Sequence, residues 1–191
     1  TYNRTLKGLH RVNAMLGMSW QAYASRYNYS EAQSFESDFF EDLNMGTGKN
    51  PRPPGSNYDE WKMNSYFLRL AYTYNDRYSA TFTARSDGSS KFGKNNKYAF
   101  FPSAGLAWIV SEESWLKGNS WLSNLKLHTS YGLTGNSEIA TYRSLARVGS
   151  GTVLLDGKRA GAAYISSLAN PDLKWEKTAQ FDVGFDLGLF N

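Results

Sequence analysis

The residues best equipped for chemistry in this sequence are its two histidines, His10 and His128, and the carboxylates and hydroxyls scattered around them. A zinc site needs several ligands at short spacing, and a nucleophilic centre needs a serine with a base beside it; neither histidine has that company. Cysteine is absent, which removes thiolate nucleophiles, thiolate metal sites and a disulfide framework together. Asp87-Gly88-Ser89-Ser90 has the composition of an ion-binding loop, but it carries too few ligands for calcium and no Lys-Ser pair follows to grip a phosphate. It reads as a turn at the outer end of a strand, with Gly88 and Gly93 supplying backbone freedom. No catalytic residue, metal site or cofactor is expected, and the chain is not read as an enzyme.

Binding chemistry is better represented. Aromatic residues make up 16% of the 191 residues, with 13 Tyr, 11 Phe and 6 Trp. Aromatic faces stack on sugar rings, so Tyr58, Trp61, Tyr142 and Tyr164, in or beside long polar stretches, are the candidates for contact with a glycan or peptide ligand. Lys91, Lys94 and Lys97 form a basic patch interleaved with Phe92 and Tyr98, which reads as a solvated loop. The net charge is +4, yet lysines and arginines alternate with acids throughout, so no nucleic-acid partner is expected.

The elements that position these residues are strands. Ala179, Phe181, Val183, Phe185, Leu187 and Leu189 alternate with Gln180, Asp182, Gly184, Asp186 and Gly188, a period of two. The same alternation recurs from His10 to Ala22, from Tyr66 to Tyr74, from Arg77 to Arg85, from Ser103 to Val110 and from Trp121 to Leu133. About six antiparallel strands are expected, and no segment carries a helical stripe of comparable length. Connections alternate in length: a long polar stretch from about Tyr27 to Glu60 holding Pro51, Pro53 and Pro54, a tight turn at Tyr74-Asn75-Asp76-Arg77, a medium loop from Ser86 to Phe100, a shorter one from Ser111 to Ser120, and a long one from about Asn136 to Lys174.

This all-β pattern fits two architectures. A soluble β-sandwich carbohydrate-binding module would bury the apolar faces against each other. A transmembrane barrel would turn them to lipid. Several candidate strands exceed the five or six residues usual in globular sheets and suit a bilayer crossing of about 9–11. Strand directions taken from the loops gather Tyr72, Tyr74, Tyr78, Trp108 and Trp121 at the short-turn end and Trp20, Tyr66, Tyr131 and Trp175 toward the long-loop end, as two interfacial girdles would be. Trp121 and Tyr131 share a parity. Arg69, Arg85, Lys126, His128, Asp182 and Asp186 fall on the opposite, polar faces and are expected to line a lumen, with Lys126 near Asp182 as a cross-strand pair. Six strands cannot close a barrel, so residues 1–191 are expected to be part of a β-barrel domain, with no plug domain, and Asn191 does not read as a barrel terminus.

The run Arg77-Tyr78-Ser79-Ala80-Thr81-Phe82-Thr83-Ala84-Arg85-Ser86-Asp87-Gly88-Ser89-Ser90-Lys91-Phe92-Gly93 resembles the barrel segment of SusC/RagA-type TonB-linked outer-membrane proteins of Bacteroidetes. Asn95-Asn96-Lys97-Tyr98, Phe101-Pro102-Ser103, Leu106-Ala107-Trp108, Ser111-Glu112-Glu113, Leu125-Lys126-Leu127, Ser130-Tyr131-Gly132-Leu133-Thr134-Gly135-Asn136 and Asn170-Pro171-Asp172-Leu173-Lys174-Trp175-Glu176 follow in the family's order. The resemblance implies a 22-stranded barrel with an N-terminal plug in the outer membrane. It also implies energy supplied through the TonB complex, a SusD-like surface lipoprotein as partner, and import of oligosaccharides or peptides. A siderophore or cobalamin receptor would share the architecture without this motif set.

Overall fold

The computed structural model describes residues 1–37, 39, 44–50, 52–118 and 121–190; Pro51, Ser120 and Asn191 lie outside the described residues. Nine strands are present among them: β1 (Tyr2–Leu6), β2 (His10–Glu31), β3 (Arg52–Tyr74), β4 (Tyr78–Ser89), β5 (Tyr98–Ile109), β6 (Leu122–Asn136), β7 (Arg147–Leu155), β8 (Lys158–Ser167) and β9 (Glu176–Leu189). Seven form one sheet in the order β1-β2-β3-β4-β5-β6-β9, and β7 pairs β8 as a separate hairpin. The chain divides into two compact units, Thr1–Gln21 with Met63–Asn191, and Ala22–Lys62.

The tight turns have the chemistry that hairpins demand. Asn75 and Asp76 both take positive φ, at 48° and 54°, as do Lys7 with Gly8 and Asp156 with Gly157. Two consecutive left-handed residues match the right-handed twist of the flanking strands. The Asn75 amide also donates to the Leu9 carbonyl at 2.7 Å, tying two neighbouring turns together. From Tyr74↔Tyr78 the β3–β4 ladder runs without a register shift to Met63↔Ser89.

Strand ends depart from the alternation pattern. β2 continues through Glu31 and β3 starts at Arg52, so much of the stretch read as a polar loop is strand. Alternation marks strands with one apolar side; in β2 the aromatic side chains Tyr23, Tyr27 and Tyr29 fall on the opposite parity to His10–Ala22, and in β3 the run Arg52-Pro53-Pro54-Gly55-Ser56-Asn57 carries turn-forming and polar residues instead of an apolar side. At 22 and 23 residues, β2 and β3 are more than twice the roughly 10 residues that cross a bilayer. The long connection after β6 contains the β7–β8 hairpin, whose Asp156-Gly157 turn was its one legible signal. β4 reaches Ser89, so Asp87-Gly88-Ser89 is strand, not turn.

The second unit is built from the far portions of β2 and β3 and their connection, including a 3-10 turn at Met45–Thr47. Tyr23 stacks on Trp61 with centroids 5.8 Å apart. Arg26 sits 4.8 Å over the Tyr58 ring.

In the first unit, the small apolar core lies at the long-loop end of the strands, not between two sheets. Phe92, Ala99, Phe101 and Trp175 are buried together, with Met63, Leu133, Ile139 and Leu173 against them. Gly93 makes this possible by the absence of a side chain, not by an unusual dihedral: a Cβ there would fall on the Pro171 carbonyl. The Gly93 amide donates to the Leu173 carbonyl at 2.9 Å, and the Asn95 amide to Pro171 at 3.3 Å. Because the obstructing atoms are backbone, Gly93→Ala should cost about 1–3 kcal/mol and unfasten the two loops. Faster amide exchange at residues 90–97 and 170–175 in the full-length protein would show it; unchanged protection would refute it.

Candidate functional site

Two faces with opposite chemistry run across the sheet. On one, register places Leu70, Tyr72 and Tyr74 of β3 beside Phe82, Ala80 and Tyr78 of β4, then Ala104, Leu106 and Trp108 of β5, Tyr131, Thr129 and Leu127 of β6, and Phe181, Val183 and Phe185 of β9. These apolar side chains are exposed: Leu106 by 61%, Phe181 by 68% and Val183 by 71%. Ser103, Gly105 and Ala107 on the opposite face of β5 are the more covered ones. A soluble sandwich shows the reverse, because its apolar face is the one that a second sheet covers. Nothing covers this face among the described residues.

The polar face holds the charged residues expected there, paired along a strand or across the ladder. Arg85 donates from Nε to both carboxylate oxygens of Asp87, at 2.7 and 2.8 Å, and from Nη2 to Ser65 Oγ at 3.2 Å. Asp87 and Ser65 are buried and face each other across β3 and β4. Arg69 lies opposite Thr83 on the same face. Lys126 is the one pairing to correct. Its partner in register is Asp186, with Nζ 3.5 Å from the carboxylate, and His128 Nδ1 stands 3.8 Å from the same oxygen. Asp182 instead lies opposite Ser130. A four-residue displacement along β9 separates the two readings, and only the β6–β9 ladder distinguishes them.

The aromatics at the short-turn end form a continuous row. His10 Nδ1 is 2.7 Å from the Tyr72 hydroxyl, Tyr74 stacks with Tyr78 at 6.2 Å, and Tyr78 stacks with Trp108 at 6.2 Å and 14° between ring planes. The row is fastened by Glu113, which follows a 3-10 turn at Val110–Glu112. Its Oε1 accepts from the Tyr78 hydroxyl at 2.5 Å and the Trp108 indole at 3.0 Å, and its Oε2 from Arg77 at 3.2 Å. Ser111-Glu112-Glu113 belongs to the motifs that carry the family resemblance, but the sequence assigns Glu113 no role, since nothing local distinguishes it from Glu112. Trp121 is exposed, but a register shift between Leu122 and Asn124 breaks the parity that linked it to Tyr131; a bulge inserts one unpaired residue and reverses the count.

At the other end, Trp20, Tyr66 and Tyr131 are exposed. Trp175 departs from them. It is 6% exposed, stacked on Phe92 at 4.6 Å and edge-on to Phe101 at 5.5 Å, with its indole donating to the Lys97 carbonyl at 3.0 Å. It anchors loops and does not stand at an apolar surface. Asn95 and Asn96 complete the fastening by donating to the Asp172 side chain at 3.0 Å and the Asp172 carbonyl at 3.2 Å.

Of the four aromatics suggested for ligand contact, Tyr58 and Trp61 belong to the second unit and Tyr142 and Tyr164 to the first. The Tyr58 hydroxyl donates to Glu60 at 2.7 Å. Tyr142 takes positive φ, 60°, in the connection between β6 and β7. The Tyr164 ring lies across Gly149 of the paired strand, where a Cβ would come within 2.7 Å of its Cζ. Among the described residues no group of three or more His, Asp or Glu is arranged to hold a metal ion.

A paired antiparallel sheet with an uncovered apolar face, an aromatic row along one end and a polar reverse defines a section of β-barrel wall. All of residues 1–191 match the family described as TonB dependent receptor-like, beta-barrel, and the chain belongs to that family. It is 37% identical over 191 residues to TonB-dependent receptor P3 of Formosa agariphila, covering 100% of this chain and 19% of that protein. It is 40% identical over 134 residues to TonB-dependent receptor SusC of Bacteroides thetaiotaomicron, covering 66% of this chain and 13% of SusC. The structure of the RagAB peptide importer in its closed-closed state superposes with a TM-score of 0.85 at 35% identity, covering 100% of this chain and 21% of that one. The chain thus spans about a fifth or less of the length of these relatives.

Glu113 gives the site a pH dependence. The Tyr78 hydroxyl, then the Trp108 indole and the Arg77 charge, favour its carboxylate and hold it below the ordinary value. Its contribution is therefore complete above the unfolded carboxylate value of about 4.3 and is lost as pH falls through the lower folded value. Thermal melts of the full-length protein in detergent should show a loss of stability below about pH 4 that is smaller in Glu113→Gln. Identical pH profiles for the two proteins would refute the assignment.

Proposed function

We propose that this chain is part of the wall of an energised importer in the cell outer membrane, taking up oligosaccharides or peptides. The observation that carries the reading is the uncovered apolar face, Leu106, Phe181, Val183 and Phe185 among its members, which lipid would cover. The match of all 191 residues to a TonB-dependent receptor barrel and the likeness to SusC and to a peptide importer support it. The polar face carrying Arg69, Arg85, Lys126, His128, Asp182 and Asp186 would line the lumen. Trp20, Tyr66, Tyr72, Tyr74, Tyr78, Trp108, Trp121 and Tyr131 would stand at the two membrane interfaces, where amphipathic rings are favoured.

In this reading a SusD-like surface lipoprotein and the TonB complex, the latter acting through a plug outside this chain, are the partners. Tyr58, Trp61, Tyr142 and Tyr164 are the side chains offered for stacking on cargo. Import is driven by TonB and needs no chemistry from the wall, so the chain is read as a transporter part and not an enzyme.

The two faces make the test direct. In the full-length protein, Phe181→Arg places a charge on the lipid side and should cost about 2–4 kcal/mol of barrel stability, with reduced surface protein and reduced uptake of labelled oligosaccharide or peptide. Gln180→Arg, one residue away on the polar side, should insert normally. Equal tolerance of both substitutions would sink the membrane reading, and uptake that persists without TonB would sink the energised one.

A further inference from the structure

We propose that a cleft at the outer rim of the wall, between the starts of β5 and β9, binds the phosphorylated headgroup of an anionic lipid through Lys174 and Lys177. The proposal rests on the lipid-facing reading of the apolar face and adds a ligand to its edge.

The cleft exists because two strands part. β5 and β6 pair from Ile109↔Lys126 to Ser103↔Gly132, yet β5 begins at Tyr98 and β6 runs on to Asn136 beside β9. Between them opens a space of about 350 Å³ lined by Asn96, Tyr98, Ala99, Lys174, Trp175 and Lys177. That is near the lower end of small-molecule sites, about 300–1,000 Å³, and suits a phosphate with its attached sugar or glycerol.

Most polar groups of the lining are already committed. The Trp175 indole donates to the Lys97 carbonyl, the Asn96 amide to the Asp172 carbonyl, and the Tyr98 hydroxyl accepts from Asn64 at 2.8 Å. Among the groups that remain are the Tyr98 phenol proton and two ammonium groups. Neither lysine makes an ion pair among the described residues. Lys177 Nζ is held 5.8 Å from the Phe101 ring centre. The neighbouring acids are engaged elsewhere, Asp172 by Asn95 and Glu176 by Asn136. Two ammonium groups with no carboxylate in the lining select an anion, and ammonium groups bind phosphate as point charges.

Position in the strands selects a lipid as the source. Lys177 continues the row Ala179, Phe181, Val183 and Phe185 toward the long-loop end, and Tyr98 does the same for Pro102, Ala104 and Leu106. From Leu189 to Lys177, twelve steps of about 3.3 Å at roughly 40° tilt span about 30 Å, the thickness of a hydrocarbon core. Tyrosine and lysine at that height are the side chains that reach a headgroup, the ring at the interface and the amine extended to the phosphate.

The test uses the full-length protein in phosphatidylcholine nanodiscs doped with diphosphorylated lipid A, with retained lipid A counted by native mass spectrometry. The variant is Lys174→Gln/Lys177→Gln; both side chains are exposed. Lys158→Gln/Arg159→Gln at the hairpin tip is the charge-matched control. Wild type and control should retain lipid A about five-fold or more over the variant, as the loss of two lysine–lipid contacts predicts. Equal retention by variant and wild type overturns the proposal while leaving the membrane reading intact. Displacement of lipid A by millimolar inorganic phosphate would make free phosphate the ligand and overturn the lipid source. Failure of the wild type to enter nanodiscs at all would overturn the membrane reading, and this proposal with it.

Discussion

A strand in hydrocarbon has no water to satisfy its N–H and C=O groups, so each of them needs a neighbouring strand. The antiparallel ladders β3–β4, β4–β5, β5–β6 and β6–β9 meet that requirement, and the placement of side chains follows from their register. A slip of one residue would send Leu106 to the polar side and Ala107 to the apolar side. Left-handed residues at Asn75 and Asp76 leave the β3–β4 hairpin little freedom to slip. The aromatic row from His10 to Trp108 and the polar row from Ser65 to Asp186 are therefore two consequences of one set of backbone hydrogen bonds.

The ladder also explains where a core can form. A sheet that turns its apolar face outward has no protein interior on that side, and its polar reverse offers little to bury. Apolar burial is concentrated at the end where β5 and β6 stop pairing. There Phe101, Phe92 and Trp175 fill the opening, while Gly93 lets the loop between β4 and β5 meet the loop before β9 at backbone distance. Rings stacked at 4.6 Å, an indole held by a carbonyl and two asparagines held by Asp172 fasten the rim. The same segments, Phe92-Gly93, Asn95-Asn96 and Asn170 to Trp175, carried the family resemblance, and their packing gives that resemblance a physical content.

Much of this is legible in the sequence. Strict alternation in β9 and the Asn75-Asp76 turn located strands and one hairpin, because half-exposed strands repeat every two residues and left-handed turns select few residue types. β1 was missed because five residues give too short a pattern. The extension of β2 was missed because its tyrosines switch parity after Ala22, and that of β3 because Pro53, Pro54 and Gly55 read as a loop. The role of Glu113, though the residue sits in the Ser111-Glu112-Glu113 motif, was not legible because its partners, Arg77, Tyr78 and Trp108, lie up to 36 residues away.

By itself the sequence determined which residues share a face, since side-chain direction along a strand is a local property of the backbone. It also determined that these 191 residues supply no thiol, cysteine being absent. The tertiary structure alone decided that Lys126 meets Asp186 and not Asp182, that Trp121 lies beyond a bulge, and that Trp175 is a buried anchor among loops. Each of these depends on where a second strand or loop lies, and cross-strand register is a distance between residues far apart in sequence that no local pattern encodes.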